Sequence, residues 1–308
     1  MAWLAEMNVA KRIQELKGQR KAVVLAHNYQ SPEVQDLADH VGDSLGLAQI
    51  AARTDAEVIV FCGVDFMAES AKILSPEKKV ILPESEAMCP MSAMCTAMEL
   101  ALFKERHPQA AVVAYVNTSA AVKALADVCC TSANAVKVVG RMPQKHIIFV
   151  PDRNLGAYVQ RFHPEKEIIL WPGFCQTHQG ISVEEVQEVR GRHPEAKLMV
   201  HPECLPEVID LADHVSSTEG MIKYAKASEA KEFIVGTEVD MTYRLGKEAP
   251  GKRFYPVPSA VCPNMKRTTP ASLLRALETL TPEVTLPPDV IKAARKPLEL
   301  MMEIGRGN

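Results

Sequence analysis

Three cysteines, Cys89, Cys175 and Cys262, stand 86 and 87 residues apart, each closing a short apolar run and a proline-bearing turn: KVILPESEAMC, EIILWPGFC and RFYPVPSAVC. A thiolate is a soft ligand, so three of them brought together make a metal site. Zinc held by three cysteines needs a fourth ligand. A [4Fe–4S] cluster takes four cysteines, and with three it keeps one iron open to water or substrate as a Lewis acid. Cysteine is also a small, commonly buried hydrophobe, so each residue read singly suits a core position. The shared register argues for metal, since packing alone does not demand sulfur three times. No CxxC pair marks a self-contained zinc finger. CQTH at 175–178 is a weak CxxH match whose His178 suits a surface position equally well.

A second group of chemistry-bearing residues follows other apolar runs. AVVLAHNY leads to His27, Asn28 and Tyr29; AVVAYVNT to Tyr115, Asn117 and Thr118; KLMVHPEC to His201 and Glu203. Ser44, Ser132, Ser217 and Thr218 lie a little downstream of them. Imidazole, phenol, amide, hydroxyl and carboxylate are the donors and general acid–base groups suited to a small, polar, acidic molecule. The hydroxyls could be ordinary helix caps, or could flank an anion-binding helix N-terminus. No P-loop, GxGxxG or HExxH pattern occurs, which leaves little room for a nucleotide-dependent or zincin-type enzyme.

What must position these residues is a repeat. DLADHV occurs at 36–41 and again at 210–215, with ALADVC between them, placing Leu37, Leu125 and Leu211 88 and 86 residues apart. Ser44, Ser132 and Thr218 keep that offset, as do Phe61, Phe149 and Val235 in EVIVFCGVDF, HIIFVPDRNL and EFIVGTEVDM. RHP at 106–108 and 192–194 marks the end of a helix before the second and third copies. The pattern predicts three units of roughly 87 residues, each alternating strand and helix three times. Alternation of this kind requires crossover connections and hence parallel sheets covered by helices. The expected fold is α/β, with three αβα sandwich units on a pseudo-threefold axis and small parallel sheets. The expected boundaries are 1–93, 94–180 and 181–266, with 267–308 a helical tail packing back on the first unit. Ligands bind beyond the carboxyl ends of parallel strands, so three like units would present their strand tips at one centre.

Composition narrows the function classes. The 308 residues carry a formal net charge of −3, 47% hydrophobic and 24% charged residues, with lysine and arginine scattered. Without a basic stripe, nucleic acid is not an expected partner. The apolar runs are far too short to cross a bilayer, so no membrane partner is expected either. MAWLAEMNVAKRIQELKGQRK reads as an amphipathic helix and not as a signal peptide. A cytoplasmic location follows as the expectation, and there the eight cysteines would be reduced.

AHNYQ, GDSLGLA, FMAESAKIL, VVAYVNT, HPEC and FIVGTEVDM, with the three separated cysteines, together resemble the quinolinate synthase (NadA) family over residues 20–270. The resemblance implies three αβα domains around a [4Fe–4S] cluster on Cys89, Cys175 and Cys262. It implies condensation of iminoaspartate with dihydroxyacetone phosphate to quinolinate, with loss of phosphate and two waters, for NAD biosynthesis. An L-aspartate oxidase would supply the unstable imine. By motif, substrate contacts fall to His27, Ser44, Tyr115, Asn117, Ser132, His201, Glu203 and Thr218. Tyr29, Glu203 and His201 would be catalytic, and an open iron would assist a dehydration.

Three departures from the family pattern stand out. Many relatives carry GSTS where this chain has Ser216, Ser217, Thr218 and Glu219, and a glycine is expected where Asp240 stands. Some relatives read CxxCxxC at the last cysteine; here Ser259 and Pro256 occupy those places, which excludes a regulatory disulfide. Cys62, Cys95, Cys129, Cys130 and Cys204 match no cluster position. Two rival readings of the same residues are a zinc-dependent aldolase or hydrolase and a non-enzymatic iron–sulfur sensor.

Overall fold

The computed structural model describes residues 2–306, with side-chain surroundings from Asn8 onward; Met1, Gly307 and Asn308 lie outside the described residues. Among the described residues twelve strands form three sheets of four, and every pairing between these strands is parallel. The first holds β1 (Ala22–His27), β2 (His40–Gly42), β3 (Val58–Cys62) and β4 (Lys79–Ile81) in the order β2-β1-β3-β4. The second holds β5 (Ala111–Tyr115), β6 (Val128–Cys130), β7 (His146–Val150) and β8 (Glu167–Leu170), ordered β6-β5-β7-β8. The third holds β9 (Lys197–Val200), β10 (His214–Val215), β11 (Glu232–Gly236) and β12 (Arg253–Pro256), ordered β10-β9-β11-β12. One topology thus occurs three times.

Each sheet therefore has one strand more than the repeat predicts. The additional strands, β2, β6 and β10, are only two or three residues long and sit on the HV, VC and HV of the repeated hexapeptide. Segments so short show no period of their own. The aspartate just before them explains why the motif recurs. Asp39 accepts the Val24 N–H at 2.8 Å, Asp127 that of Val112 at 2.7 Å, and Asp213 that of Leu198 at 2.8 Å. Their own N–H groups donate to the carbonyls of the same three residues. The Leu-Ala-Asp turn thereby docks the short edge strand beside β1, β5 or β9.

Strand alternation sends neighbouring residues to opposite faces. In the first sheet Val24, Ala26, Val58 and Val60 pack with Ile13 and Leu16 of the helix Ala2–Gln19 and with Leu273 and Leu277. Val23, Leu25, Ile59 and Phe61 face the other way, toward Leu45, Leu47 and Met67. Both faces are dry, as parallel sheets require. The third sheet repeats the division: Leu198, Val200 and Ile234 on one side, Met199, Phe233 and Val235 on the other. The latter side belongs to a core continuous with the second sheet and the inner face of the first.

The helices Ala97–Arg106 and Val183–Arg192 stop at the two RHP motifs. The two helices that follow the third unit part company. Pro270–Thr279 packs on Ala2–Gln19 and β3 of the first unit, whereas Pro288–Ile304 lies against β6 and the helices Ala120–Lys123 and Asp65–Leu74, bridging the first two units. Leu298 and Met301 of that helix are buried there. Among the described residues no helix is long and apolar enough to cross a membrane.

Candidate active site and cluster centre

The carboxyl ends of the three sheets meet around one cavity of about 260 Å³. His27 ends β1, Tyr115 ends β5 and His201 follows β9, so equivalent strands deliver all three to its wall. Tyr29, Asn117 and Glu203, two residues further on in each unit, line it as well. So do Ser44, Ser132 and Thr218, and so do Cys89, Cys175 and Cys262. Every residue given a site role from the sequence therefore borders the same space. Asn28, Thr118 and Ser217 support it from behind. Asn28 donates to the Thr218 hydroxyl at 2.8 Å, the Thr118 hydroxyl donates to the Tyr115 carbonyl at 3.0 Å, and Ser217 caps the helix Thr218–Ala227.

Of the hydroxyls at the helix starts, Ser217 is a cap and Ser44 and Thr218 are not. Asp43 caps the helix Ser44–Arg53 by accepting the Gly46 N–H at 2.8 Å, and Ser217 caps its counterpart in the third unit by accepting that of Gly220 at 3.3 Å. Ser44 and Thr218 are each the first residue of their helix, with the N-terminal end of the helix dipole beside the cavity. Ser132 precedes the helix Ala135–Arg141 and its hydroxyl meets His201 Nε2 at 3.0 Å. Among the described residues no lysine or arginine lines the cavity.

The backbone N–H of each cysteine is held by an acid between the third-position strand and the first turn of the helix after it. Cys89 donates to Asp65 Oδ1 at 3.0 Å, Cys175 to Asp152 Oδ2 at 3.2 Å, and Cys262 to Glu238 Oε1 at 3.2 Å. This recurrence fixes three loops from three sheets in the same way. The aligned VDF, PDR and TEVD segments carried the signal for it. Burial pushes the Cys89 thiol up to about 12 and raises Cys175 and Cys262 as well, so the metal-free thiols are protonated and loading would release protons. Among the described residues no fourth cysteine lines the cavity. Cys62, Cys95, Cys129, Cys130 and Cys204 are buried elsewhere as free thiols. A donor set of three soft ligands, each on a separately anchored loop at one cavity, fits a three-cysteine cluster.

Beside the cysteines lies a hydrogen-bonded chain that the sequence did not reveal. The Tyr29 hydroxyl is 2.6 Å from Thr237 Oγ1, which is 2.8 Å from His178 Nε2. His178 Nδ1 is 2.7 Å from Glu203 Oε2. A consistent donor order runs Tyr29 to Thr237, Thr237 to His178 Nε2, and His178 Nδ1–H to Glu203. Thr237 is completely buried, and His178 and Glu203 are 2% and 3% exposed. His178 is thus no surface residue; the single turn Gln176–Gln179 after Cys175 carries it inward. Its ring stacks on His201 at 4.7 Å.

Burial alone would raise the Glu203 carboxyl, but His178, His201 and the Tyr115 phenol together outweigh it and hold the acid below the usual range. Burial lowers His27 to about 4 and His201 to about 3, so both are neutral imidazoles at physiological pH. Burial first, and then the Glu203 charge, push Tyr29 and Tyr115 well above ordinary phenols. Glu203 Oε1 and Asn117 Oδ1 are buried acceptors without a partner among the described residues. Both residues border the cavity, and such orphans at a cavity wall suit a ligand's donors.

Of the departures, Ser259 borders the cavity together with Thr218, whereas Pro256, Ser216, Glu219 and Asp240 do not. Ser216 is buried and does not border the cavity. Glu219 lies in the first turn of the helix Thr218–Ala227, with its Oε1 near Gly42. Asp240 precedes the helix Met241–Glu248 and pairs with Lys266, which also binds Glu238 at 2.8 Å and the Tyr29 carbonyl at 2.8 Å.

A sequence profile described as "Quinolinate synthetase A protein" (NadA) matches residues 11–303. Among curated proteins, the quinolinate synthase of Methanoregula boonei is 52% identical over 295 residues, covering 96% of this chain and 97% of that one. Those of Caldicellulosiruptor saccharolyticus and Dehalococcoides mccartyi are 51% and 53% identical over 297 residues, each covering 96% of this chain and 98% of the relative.

Proposed function

Because the chain belongs to the quinolinate synthase (NadA) family of enzymes, we propose that its cavity condenses iminoaspartate with dihydroxyacetone phosphate to quinolinate, with loss of phosphate and two waters, in NAD biosynthesis. The carrying observation is that three cysteines and three pairs of strand-tip polar residues, supplied by three separate sheets, border one cavity. Cys89, Cys175 and Cys262 would hold a [4Fe–4S] cluster. Bound there through three cysteines, the cluster supplies an iron with a free position, a Lewis acid for a carboxylate or hydroxyl oxygen.

The remaining chemistry is proton transfer and anion recognition by the chain's own side chains. Building the ring requires removing protons from carbon and delivering protons to departing hydroxyls. The Tyr29–Thr237–His178–Glu203 chain suits both directions: a proton leaving the Tyr29 oxygen passes to Thr237, Thr237 passes its own to His178, and Glu203 stabilises the imidazolium that forms. Neutral His27 and His201 can each donate one hydrogen bond and accept another without carrying charge. With no lysine or arginine on the wall among the described residues, the carboxylates and phosphate fall to helix N–H groups and the hydroxyls of Ser44, Ser132 and Thr218, a mode that matches helix N-termini to anions. Tyr115 and Asn117 complete the polar surface. Iminoaspartate hydrolyses readily, so an L-aspartate oxidase is the functional partner this reading calls for.

The test is an anaerobic assay of reconstituted protein with both substrates, product identified as pyridine-2,3-dicarboxylate. Wild type is expected to turn over, and Cys89→Ser, Cys175→Ser and Cys262→Ser to lose cluster absorbance and product together. No product from iron-loaded wild type would refute the reading. A zinc-dependent enzyme is the second reading, favoured by one observation: ligand atoms of Cys175, His178 and Glu203 lie within 4.8 Å of one another. Colourless, zinc-loaded, active protein would establish it in place of the cluster.

A further inference from the structure

One carboxylate borders the anion-binding side of the cavity and a second stands behind it. Asp43 borders it, with its side chain only 8% exposed, and caps the very helix whose first residue is Ser44. Glu219, from the third unit, reaches the neighbourhood of Gly42 with its Oε1. An uncompensated buried acid there would oppose a substrate carboxylate or phosphate at the same helix end. The compensation comes from outside the repeats. Arg306, beyond the last helix, meets Asp43 in a two-point contact, Nη1 to Oδ2 at 2.5 Å and Nη2 to Oδ1 at 2.8 Å. Its carbonyl accepts from Lys137 Nζ of the second unit at 2.9 Å. A Cβ at Gly46 would stand 3.1 Å from both Arg306 Nη2 and Asp43 Oδ1, so glycine there leaves the guanidinium its place. The residue thus joins the helix start of the first unit to a helix of the second.

We propose that Arg306 is a positioning residue for anion binding: by neutralising Asp43 it leaves the amino end of the Ser44–Arg53 helix electropositive toward an anionic group of the substrate. It does not itself border the cavity. A planar guanidinium suits this task, because it pairs with both carboxylate oxygens at once and keeps Asp43 from turning to the ligand. The inference rests on the quinolinate synthase reading for the identity of the anion.

The experiment titrates pyridine-2,3-dicarboxylate into anaerobically reconstituted enzyme by calorimetry, and measures KM and kcat in parallel. Restoring one negative charge beside a helix N-terminus should weaken binding about tenfold, or about 1.4 kcal/mol. Arg306→Gln is expected to show that loss, carried by KM, with cluster absorbance intact. Arg306→Lys should keep most of the affinity. The decisive variant is Arg306→Gln combined with Asp43→Asn: asparagine still caps the helix, the charge is gone, and affinity should return. A purely structural role predicts additive losses instead. Wild-type affinity in Arg306→Gln, or no recovery in the double variant, would overturn the proposal. A wild-type enzyme that neither binds nor forms the dicarboxylate would sink the functional reading, whereas an active wild type with indifferent variants sinks only this inference.

Discussion

Replacing Thr237 with valine removes one oxygen from the centre of the buried chain and leaves its outline unchanged. The hydroxyl sits 2.6 Å from Tyr29 and 2.8 Å from His178, and no part of the residue is exposed. Valine therefore leaves two buried polar groups unpaired where water cannot easily replace the oxygen. Each such group costs about 1–3 kcal/mol. For a chain of this length the unfolding entropy is about 0.65 kcal/mol per degree, so a loss of about 3 kcal/mol lowers Tm by roughly 5 °C. The catalytic effect should be larger. Breaking a general acid–base relay lowers kcat about 10²–10⁴-fold, equivalent to about 3–5 kcal/mol at the transition state. KM and the visible spectrum should hardly move, because neither the cysteines nor the helix ends are touched. Thr237→Ser, which restores the oxygen, should recover most of the rate. The assay is initial-rate quinolinate formation under anaerobic conditions, with iron and sulfide quantified in each preparation. A Thr237→Val enzyme with a full cluster and kcat within about threefold of wild type would refute the relay.

Other consequences follow from the same geometry. Glu203→Gln should keep its cluster yet lose at least about 10²-fold in turnover, since the amide cannot stabilise a protonated His178; undiminished kcat would remove Glu203 from the chemistry. In Gly173→Ala, the new Cβ would fall 2.5 Å from the Pro151 carbonyl oxygen. The loop carrying Cys175 must then shift, and iron content should drop; full loading would show that the loop tolerates displacement. Asp213→Ala should cost about 1–2 kcal/mol at neutral pH, because the carboxylate accepts the Leu198 N–H and pairs with Lys197 and Arg190. Partial burial raises the Asp213 carboxyl, but these partners outweigh it and hold it below the usual range. Its contribution is therefore complete above the unfolded value of about 3.9 and disappears as pH falls through the lower folded one. Urea titrations should show wild type and variant converging only in strong acid; a gap that persists there would assign the effect to packing.

The recurrence of one small design also accounts for how the site is held. Each unit uses an aspartate of its Leu-Ala-Asp turn to dock an edge strand, and an acid after its third-position strand to grip a cysteine loop. The same local solutions therefore deliver different side chains to equivalent places: histidine, tyrosine and histidine at the strand ends; tyrosine, asparagine and glutamate two residues on. A repeated scaffold with divergent tips gives a chemically asymmetric cavity from nearly symmetric parts.

Much of this was legible in the linear order of residues. Parallel strands, their helices and the residues at strand tips follow from local hydrophobic pattern, and a repeat transfers each inference to two further places. Hence Cys89, Cys175, Cys262, His27, Tyr115 and His201 could be placed at a common centre before any coordinates. The two- and three-residue edge strands were not legible, because they are too short to carry a period. Nor was the course of the helix Pro288–Ile304, whose apolar face packs across two units. Thr237, His178 and Arg306 gave no sign of their partners. Their contacts cross between units or from the tail to a unit, Thr237 reaching Tyr29 over 208 residues and Arg306 reaching Asp43 over 263. Pattern along a chain specifies what each unit must bury, whereas contacts between units depend on how three finished surfaces fit, and that is decided only when they pack.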